Sequence, residues 1–402
     1  MRIGFLFNHD QIHQVAHSLP IALALLRDHP GIEVVVATTN AQLTAEVQRI
    51  AGQAGMTVPM VQLGLSGRFS RFAARHLEAV LPITKIAIYR DNLDFFASLD
   101  LLVVAEKTSL ILKTRYGLHG LAIIHTRHGA GDRAIGFDKA SRGFDHVLVS
   151  GPKIRERLET EAGIPADRMS IVGYPKFDLS PETEWVPPFA EPSLPTVLYN
   201  PHPSPHLSSW YQDGQAVLEH FLQNRRYNLI FAPHVMLFHR RFVVTIDRLR
   251  ISRVGKIEQR FLDAPNIHVD LGSRRSTDMS YTNAADIYLG DVSSQIYEFL
   301  RQPRPCIFLD SHDTDWHADA NFGHWQAGDV IRDPAALVAA LDRAGERHER
   351  YRPVQRDMFE RSFTLTGEPS ADRAARAILS VIGSRRIEPI ATPDIAPLRR
   401  SA

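Results

Sequence analysis

Ser293 and Ser294 stand at the end of an apolar segment, in a pattern that suits the binding of phosphate. The segment 286–291 is a predicted strand that ends at Asp291, and the next helical pattern begins at the two serines. Because a helix start leaves backbone N–H groups without partners, it attracts anions. The alternative explanation for the pair is a simple helix cap.

Two flanking segments favour phosphate binding over capping. Upstream, Arg274 and Arg275 lie in a basic turn, and downstream a strand is predicted at 304–309. Ligands of open α/β sheets bind beyond the carboxyl ends of the strands, where such loops converge. We therefore predict a donor-phosphate site made of Asp291, Ser293, Ser294, Arg274 and Arg275.

A glycine-rich loop, 126–133, follows another predicted strand at 122–125. Its glycines allow a ligand to approach the backbone closely. His128 lies in this loop between cationic side chains, a setting that suits general-base catalysis. We predict His128 as a catalytic residue, with possible acceptor or loop contacts from Arg127, Gly129, Asp132 and Arg133.

Other histidines also follow predicted strands. His234 comes after the strand at 228–231, and we predict it as a second catalytic residue. His202 comes after the strand at 196–199, and we predict it as a loop contact. His9, His13 and His17 are spaced four apart, as on one helical face, and this raises the alternative of zinc. No further ligand cluster accompanies them. We therefore favour contact of His9 with an acceptor, or histidines that are simply exposed to solvent, and we predict no metal.

The composition limits the class of protein. The chain has 402 residues, 44% hydrophobic and 23% charged, with a net charge of +1. This balance fits a soluble globular protein and gives no reason to expect a nucleic-acid partner. The single cysteine, Cys306, excludes a disulfide framework and fits a reducing compartment. No apolar run reaches the roughly 18 residues of a membrane span, so a cytoplasmic location is expected.

Short apolar runs alternate with helical patterns, which predicts an α/β fold with parallel sheets. A segment with five prolines, 181–195, interrupts this alternation and indicates a linker. The predicted organisation is a Rossmann-like domain at 1–180, the linker at 181–195, a second Rossmann-like domain at 196–370, a returning helix at 371–383 and a disordered tail at 384–402.

Three arginines, Arg68, Arg71 and Arg75, recur at helical spacing with Phe69 and Phe72 between them. A basic amphipathic segment of this kind can lie in a membrane interface. The alternative is a helix whose arginines face solvent while its phenylalanines pack in the core of the protein.

The motifs, taken in order, resemble the CDP-glycerol:glycerophosphate glycerophosphotransferase family of teichoic-acid-type enzymes. The resemblance rests on the His-Gly loop, on SGP at 150–152, on VGYPKFD at 172–178, on the Ser-Ser helix start and on RPCIF at 304–308. It implies a GT-B fold in which two Rossmann-like domains face each other across a cleft. In this resemblance His128 matches the family's expected base, His234 its second histidine, and Ser293 and Ser294 its donor-phosphate ligands.

The function that the resemblance implies is transfer of a glycerol-phosphate-type group from a CDP-alditol donor to a hydroxyl of a lipid or glycan acceptor in cell-envelope synthesis, with release of CMP. The donor is a substrate, and no cofactor is expected. The resemblance also implies peripheral contact with an anionic membrane surface, on the inner face of the inner membrane. Two alternatives stay open: a glycosyltransferase or epimerase that uses a UDP-sugar, and a non-catalytic nucleotide-binding partner.

Overall fold

The computed structural model describes residues 1–8, 12–65, 83–127, 129–179, 185–239, 241–245 and 250–387. A parallel sheet in the order β3-β2-β1-β4-β5-β6-β7 forms the first half of the chain. Its central strands are runs of buried apolar residues, as expected where helices cover both faces. Its strands are β1 (Arg2–Phe7), β2 (Glu33–Thr38), β3 (Met60–Gln62), β4 (Leu101–Val104), β5 (Ala122–Thr126), β6 (His146–Val149) and β7 (Met169–Ile171).

A second parallel sheet, in the order β12-β9-β8-β13-β14-β15, forms the second half. A separate antiparallel pair, β10 (Phe242–Thr245) and β11 (Arg250–Arg253), belongs to neither large sheet. The strands of the sheet are β8 (Thr196–Asn200), β9 (Asn228–Phe231), β12 (Ile267–Val269), β13 (Ile287–Gly290), β14 (Cys306–Leu309) and β15 (Asp329–Ile331).

Helices cover both sheets. Among the described residues they are α1 (Leu19–Asp28), α2 (Ala41–Gln53), α3 (Ile83–Asp91), α4 (Leu93–Ala97), α5 (Ile111–Thr114), α6 (Pro152–Arg157), α7 (Trp210–Gln223), α8 (Gln259–Leu262), α9 (Ser280–Ala284), α10 (Gln295–Phe299), α11 (Leu337–Asp342), α12 (Ala344–Ser362) and α13 (Ser370–Ile387). In the part of the chain that the structure describes, no helix is both long and apolar enough to cross a bilayer.

The C-terminal helix returns to the first half of the molecule. The carboxylate of Asp178 accepts the backbone N–H groups of Ser370 and Ala371 at 3.1 and 2.7 Å, so it caps the start of α13. Ala374 and Ile378 then pack into the core of the first sheet beside α1. The helix runs to Ile387, four residues beyond the predicted end at 383, and residues 388–402 of the predicted tail lie outside the described residues.

A buried ion pair joins the two halves near this return. The ammonium of Lys176 lies 2.6 Å from the carboxylate of Glu298, which also accepts a hydrogen bond from the hydroxyl of Tyr174 at 3.0 Å. Both charged side chains are less than one tenth exposed. A buried charge that loses its partner is strongly destabilising, so this pair fixes how the halves meet.

Replacing Glu298 by glutamine should lower the free energy of unfolding by about 3 kcal/mol, because it leaves the Lys176 ammonium buried without a counter-charge. Urea denaturation of the full chain measures the change. The matched control is Glu349→Gln, whose partner Arg352 lies on the surface; there the change should be about 1 kcal/mol or less. Equal losses for the two variants would contradict the role given to Glu298.

Candidate functional site

A cavity of about 490 Å³ lies between the carboxyl edges of the two sheets. Its walls are the loops that follow β4 and β5 on one side and β8, β9 and β13 on the other. This is where parallel sheets place ligands, and the volume suits a small molecule. The residues predicted from the sequence that line it are Arg127, Gly129, Asp132, Arg133, His202, His234, Ser293 and Ser294.

The glycine-rich loop and the serine pair touch each other across the cavity. A Cβ placed on Gly131 would lie 3.0 Å from the Cβ of Ser294, and one on Gly129 would lie 3.8 Å from the Ser294 hydroxyl. Gly129 also has a φ of +82°, which few side-chain-bearing residues adopt. The glycines are therefore required for the close approach of the two loops.

A buried carboxylate, Asp132, holds this arrangement together. From its own half it accepts a hydrogen bond from the Lys153 ammonium at 3.0 Å. From the other half it contacts the Tyr297 hydroxyl and the Nδ1 atom of His324, the latter at 3.0 Å. Burial alone would raise the pKa of Asp132, but the hydrogen bond from His324 and the charge of Lys153 outweigh it and hold that pKa below its usual range. We call these four residues the Asp132 cluster.

His324 connects the Asp132 cluster to the loop that carries the serines. Its Nε2 atom lies 2.8 Å from the backbone carbonyl of Asp291, which also accepts the indole N–H of Trp325 at 2.8 Å. Both ring nitrogens of His324 therefore face acceptors. The ring fixes the position of the loop that follows β13 relative to the glycine-rich loop.

Asp291 does not face the cavity as a phosphate contact would. Its carboxylate is buried and accepts hydrogen bonds from the backbone of His202, Ser209 and Val292 at 2.6–2.9 Å, and from the Ser209 hydroxyl. Burial raises its pKa in spite of these donors. The prediction that Asp291 contacts phosphate is therefore replaced by a positioning role, because its oxygens are occupied by the loops after β8 and β13.

Ser293 and Ser294 differ from each other in environment. The helix that follows them, α10, has only five residues, and Ser294 occupies its N-cap position without a side-chain capping bond. Ser293 is buried, with its hydroxyl 3.4 Å from the backbone nitrogen of Gln295, whereas Ser294 is exposed to the cavity. A helix this short adds little dipole, so anion binding here depends on side-chain donors.

Two histidines, His202 and His234, line the cavity beside Arg133. Burial first, and the nearby charge of Arg133 second, lower the pKa of His234 to about 4 and push that of His202 well below its usual value. Both rings are therefore neutral at pH 7. The Nδ1 atom of His234 accepts the backbone N–H of Met236 at 3.2 Å, so its proton lies on Nε2.

The contacts of Arg127 are mainly with the glycine-rich loop and the residues that follow it. Its guanidinium donates to the carbonyl of Gly136 and lies 4.4 Å above the ring of Phe137, against which Arg157 also packs. Burial lowers its pKa to about 10. It keeps a positive charge at the cavity wall without being free to move.

The structure does not bring Arg274 and Arg275 to the serines. Arg274 forms an ion pair of 3.3 Å with Glu46 of α2, on a different part of the cleft, and Arg275 is exposed. Arg304, at the amino end of β14, donates to main-chain carbonyls such as those of Ala285 and Thr282. Arg274 and Arg275 are left out of the proposed site because they follow β12, which β9 and β8 separate from β13 in the sheet, an order that spacing along the chain does not reveal. Arg304 is left out because main-chain carbonyls occupy its guanidinium.

Some predicted residues lie outside the described residues. His9 and His128 are among them, as are Arg68, Arg71 and Arg75. Of the histidines weighed for zinc, His17 is buried and packs on the ring of Tyr174 at 5.3 Å. Among the residues that the structure describes, no group of three or more His, Cys, Asp or Glu could hold a metal.

Sequence reasoning missed one wall of the cavity. Glu106 and Lys107, after β4, form ion pairs with Lys85 at 3.1 Å and with Asp138 at 2.6 Å. They follow a predicted strand, so the rule that found the other loops would have found this one. His324 offered no such signal, since it belongs to the short 3₁₀ segment Ala320–Ala327 rather than to a loop after a strand.

Several solved structures share this architecture. The wall teichoic acid polymerase TagF, in a variant soaked with CDPG, is similar with a TM-score of 0.59 and 13% identity, over 96% of this chain and 90% of that one. The UDP-GlcNAc 2-epimerase from Neisseria meningitidis bound to UDP-GlcNAc gives 0.60 and 12%, over 96% and 100%. The glycotransferase of kitacinnamycin gives 0.53 and 13%, over 94% and 98%.

The GT-B-like fold is confirmed. Two parallel sheets face each other across a cleft in this chain and in structures that cover nearly all of it. The likeness to TagF agrees with the resemblance noted in the sequence. No protein-family model and no curated protein matches the chain, and at these identities the solved structures establish the fold alone.

Replacing Gly131 by alanine should lower turnover about tenfold or more, because the added methyl group displaces Ser294 and misplacing a reacting group by about 1 Å can cost 10²-fold. The thermal midpoint should change little. Steady-state kinetics and a thermal melt measure the two effects. Gly120→Ala is the matched control, since nothing lies within 4 Å of its added Cβ. Wild-type turnover in Gly131→Ala would show that the loop contact does not position the site.

The lowered pKa of His234 predicts that the stability of the protein depends on pH. Its pKa is lower in the folded chain than in the unfolded chain, so the unfolded state binds more protons between about pH 6.5 and pH 4. The free energy of unfolding should therefore fall as pH falls through this window, by up to about 1.4 kcal/mol per pH unit for this proton. Denaturation at pH 7 and pH 5 should show a smaller loss in His234→Gln than in the wild type. Replacing the exposed His119 in the same way should leave the loss unchanged.

Proposed function

We propose that this protein transfers an alditol phosphate from a CDP-linked donor to an acceptor hydroxyl and releases CMP. The observation that carries the proposal is the meeting of Ser294 with the glycine-rich loop in one interdomain cavity. The donor's pyrophosphate lies on the second-sheet side of this cavity. The acceptor, a lipid or glycan hydroxyl, enters from the first-sheet side.

The cavity offers hydrogen-bond donors that suit a pyrophosphate. Ser294 contributes a hydroxyl, Arg133 a guanidinium and His234 the N–H of a neutral ring. Because the His234 ring is neutral at pH 7, it donates a hydrogen bond through its Nε2–H group without carrying a charge. Fixed donors of this kind stabilise charge that develops on phosphate oxygens in the transition state.

The contacts of His202 strengthen the case for an anion. Its Nδ1 atom faces the backbone N–H of Ser204 and its Nε2 atom faces the guanidinium of Arg133, each at 3.0 Å. A neutral imidazole has one accepting nitrogen, so one of these contacts brings two donors together. An anionic oxygen between His202 and Arg133 would accept from both and remove the conflict.

The proposed reaction is an in-line displacement at phosphorus. His128 takes the proton of the acceptor hydroxyl, a new bond forms between the acceptor oxygen and the distal phosphorus, and the bond to CMP breaks. CMP leaves as a phosphate monoester held by the donors around Ser294. His234 donates to the transferred phosphate or to the leaving group.

A second candidate function has one observation in its favour. The epimerase from Neisseria meningitidis, which was solved with UDP-GlcNAc, covers this chain as fully as TagF does. A UDP-sugar would occupy the same cavity, but reaction would take place at a sugar carbon. The nucleotide product separates the two functions, because phosphoryl-alditol transfer releases CMP and glycosyl transfer releases a nucleoside diphosphate.

The experiment incubates the purified chain with CDP-glycerol or a UDP-sugar and a lipid extract, and measures the released nucleotide by chromatography. CMP release is expected, and His128→Ala should slow it by about 10²–10⁴. His119→Ala, at an exposed position away from the cavity, is the control. A nucleoside diphosphate product would replace the proposal by the second candidate. Ligand-induced stabilisation without turnover of any donor would identify a non-catalytic binding protein.

A further inference from the structure

His324 lies between two hydrogen-bond acceptors, one from each half of the molecule. Its side chain is buried in the 3₁₀ segment Ala320–Ala327. The Nδ1 atom is 3.0 Å from a carboxylate oxygen of Asp132, and the Nε2 atom is 2.8 Å from the backbone carbonyl oxygen of Asp291. A neutral imidazole has one N–H group and one lone pair, so one of its nitrogens would then face the lone pairs of an oxygen atom. Both contacts are hydrogen bonds only if each ring nitrogen carries a proton.

Neither acceptor supplies the second proton. The carbonyl of Asp291 has none to donate, so Nε2 is the donor in that contact. The carboxylate of Asp132 is ionised, because its Oδ1 atom accepts from the Lys153 ammonium at 3.0 Å and its Oδ2 atom accepts the backbone N–H of His324 at 3.2 Å. The hydrogen bonds therefore require a donor at Nδ1 as well.

The charged groups around the ring come from several elements. Asp132 contacts the ring directly, and Asp291 carries a buried carboxylate next to the carbonyl that the ring contacts. From α6, the ammonium of Lys153 binds the carboxylate of Asp132, and the guanidinium of Arg157 binds its backbone carbonyl. The two carboxylates favour a positive ring, while the two cations bind other atoms of Asp132.

Three further polar side chains adjoin this cluster among the described residues. Burial raises the pKa of Tyr297 well above its usual value and lowers that of His202, so both are neutral at pH 7. Neither therefore changes charge as pH rises from 7 to about 9. Arg133 contacts the ring of His202, at 3.0 Å.

The two loops that His324 joins are the ones that meet in the cavity. Asp132 belongs to the glycine-rich loop, and Asp291 begins the loop that carries Ser294. A Cβ on Gly131 would lie 3.0 Å from the Cβ of Ser294, so this meeting tolerates little displacement. Because acceptors occupy both nitrogens of His324, the ring has none left for a substrate. Its effect on the site passes through the two loops.

We propose that His324 is a positioning residue that works as an imidazolium, with one N–H donated to the glycine-rich loop and the other to the loop after β13. Loss of one proton turns one of these hydrogen bonds into a contact between two lone pairs, and Ser294 then loses its position. The charge of the ring is a property of the free protein, whereas its effect on turnover rests on the function proposed above.

The charge is measured by nitrogen NMR of the full chain with isotope-labelled histidine, without donor. The two nitrogens of an imidazolium give similar signals, whereas those of a neutral ring differ widely because only one carries a proton. We expect His324, assigned by the loss of its signals in His324→Gln, to be doubly protonated at pH 7. Asp132→Asn should leave it with one proton, because the counter-charge is gone. The matched control Tyr297→Phe removes a hydrogen bond from the same carboxylate without changing its charge, so both protons should stay.

The positioning role is measured by nucleotide release at saturating donor, from neutral to alkaline pH. Turnover should fall as pH rises through the range in which NMR shows the ring losing its second proton. His128, as a base, has the opposite effect, because loss of its proton raises turnover. His324→Gln should lower turnover about tenfold or more at pH 7, since misplacement by about 1 Å can cost 10²-fold, and should lack the alkaline fall. His119→Gln, at an exposed position, should keep both the turnover and the fall.

A neutral His324 ring at pH 7 would overturn the proposal, and so would two protons in Asp132→Asn, wild-type turnover in His324→Gln, or an alkaline fall that persists in that variant. If no donor is turned over, the proposed reaction fails, and the indole N–H signal of Trp325 decides on positioning. This group donates to the same Asp291 carbonyl at 2.8 Å, so its signal should move as His324 titrates; a signal that stays in place refutes the role. A thermal melt checks that each variant folds, and if Asp132→Asn does not, the wild type and Tyr297→Phe decide.

Discussion

The arrangement of the site depends on one buried carboxylate, that of Asp132. Its oxygens are satisfied by Lys153 from its own half and by Tyr297 and His324 from the other. A carboxylate removed from water costs several kcal/mol when it lacks partners, by the usual estimates. The arrangement in which the two sheets enclose the cavity is also the one that supplies all of these partners. The geometry of the cavity and the pairing of this charge are therefore set together.

Two carboxylates organise loops: Asp291, which was predicted as a phosphate contact, and Asp132, which was predicted as an acceptor or loop contact. Asp132 joins the halves, and Asp291 holds the loops after β8 and β13. Because the carboxylates of Asp132 and Asp291 are satisfied inside the protein, Arg133 and the neutral ring of His234 remain as hydrogen-bond donors at the cavity wall. Acidic side chains that are satisfied inside the protein thus help to set the positions of the hydrogen-bond donors in the cavity.

The sequence predicted the elements that are continuous along the chain and missed those that depend on contacts between distant segments. Strands such as β4 and β9 are fully buried apolar runs, which local pattern reveals. The three-residue strands β3, β7 and β15 lie at or near sheet edges, where no such run is needed. The loops that follow strands could be predicted because ligands of open α/β sheets bind beyond the carboxyl ends of the strands. The contact between Asp132 and His324, 192 residues apart, has no local signature, and neither does the pairing of Arg274 with Glu46.

Two buried contacts, the Asp132 cluster and the Lys176–Glu298 pair, join the halves of the molecule. Separating the halves would return Asp132 to water together with its partners, so the carboxylate would exchange protein donors for hydration instead of remaining buried alone. Separating the halves would therefore not leave an uncompensated buried charge, as deleting one partner does. The Lys176–Glu298 pair is buried to a similar degree, with side chains 6% and 8% exposed against 3% for His324 and 5% for Asp132. Both interdomain contacts therefore favour the arrangement in which Ser294 meets the glycine-rich loop.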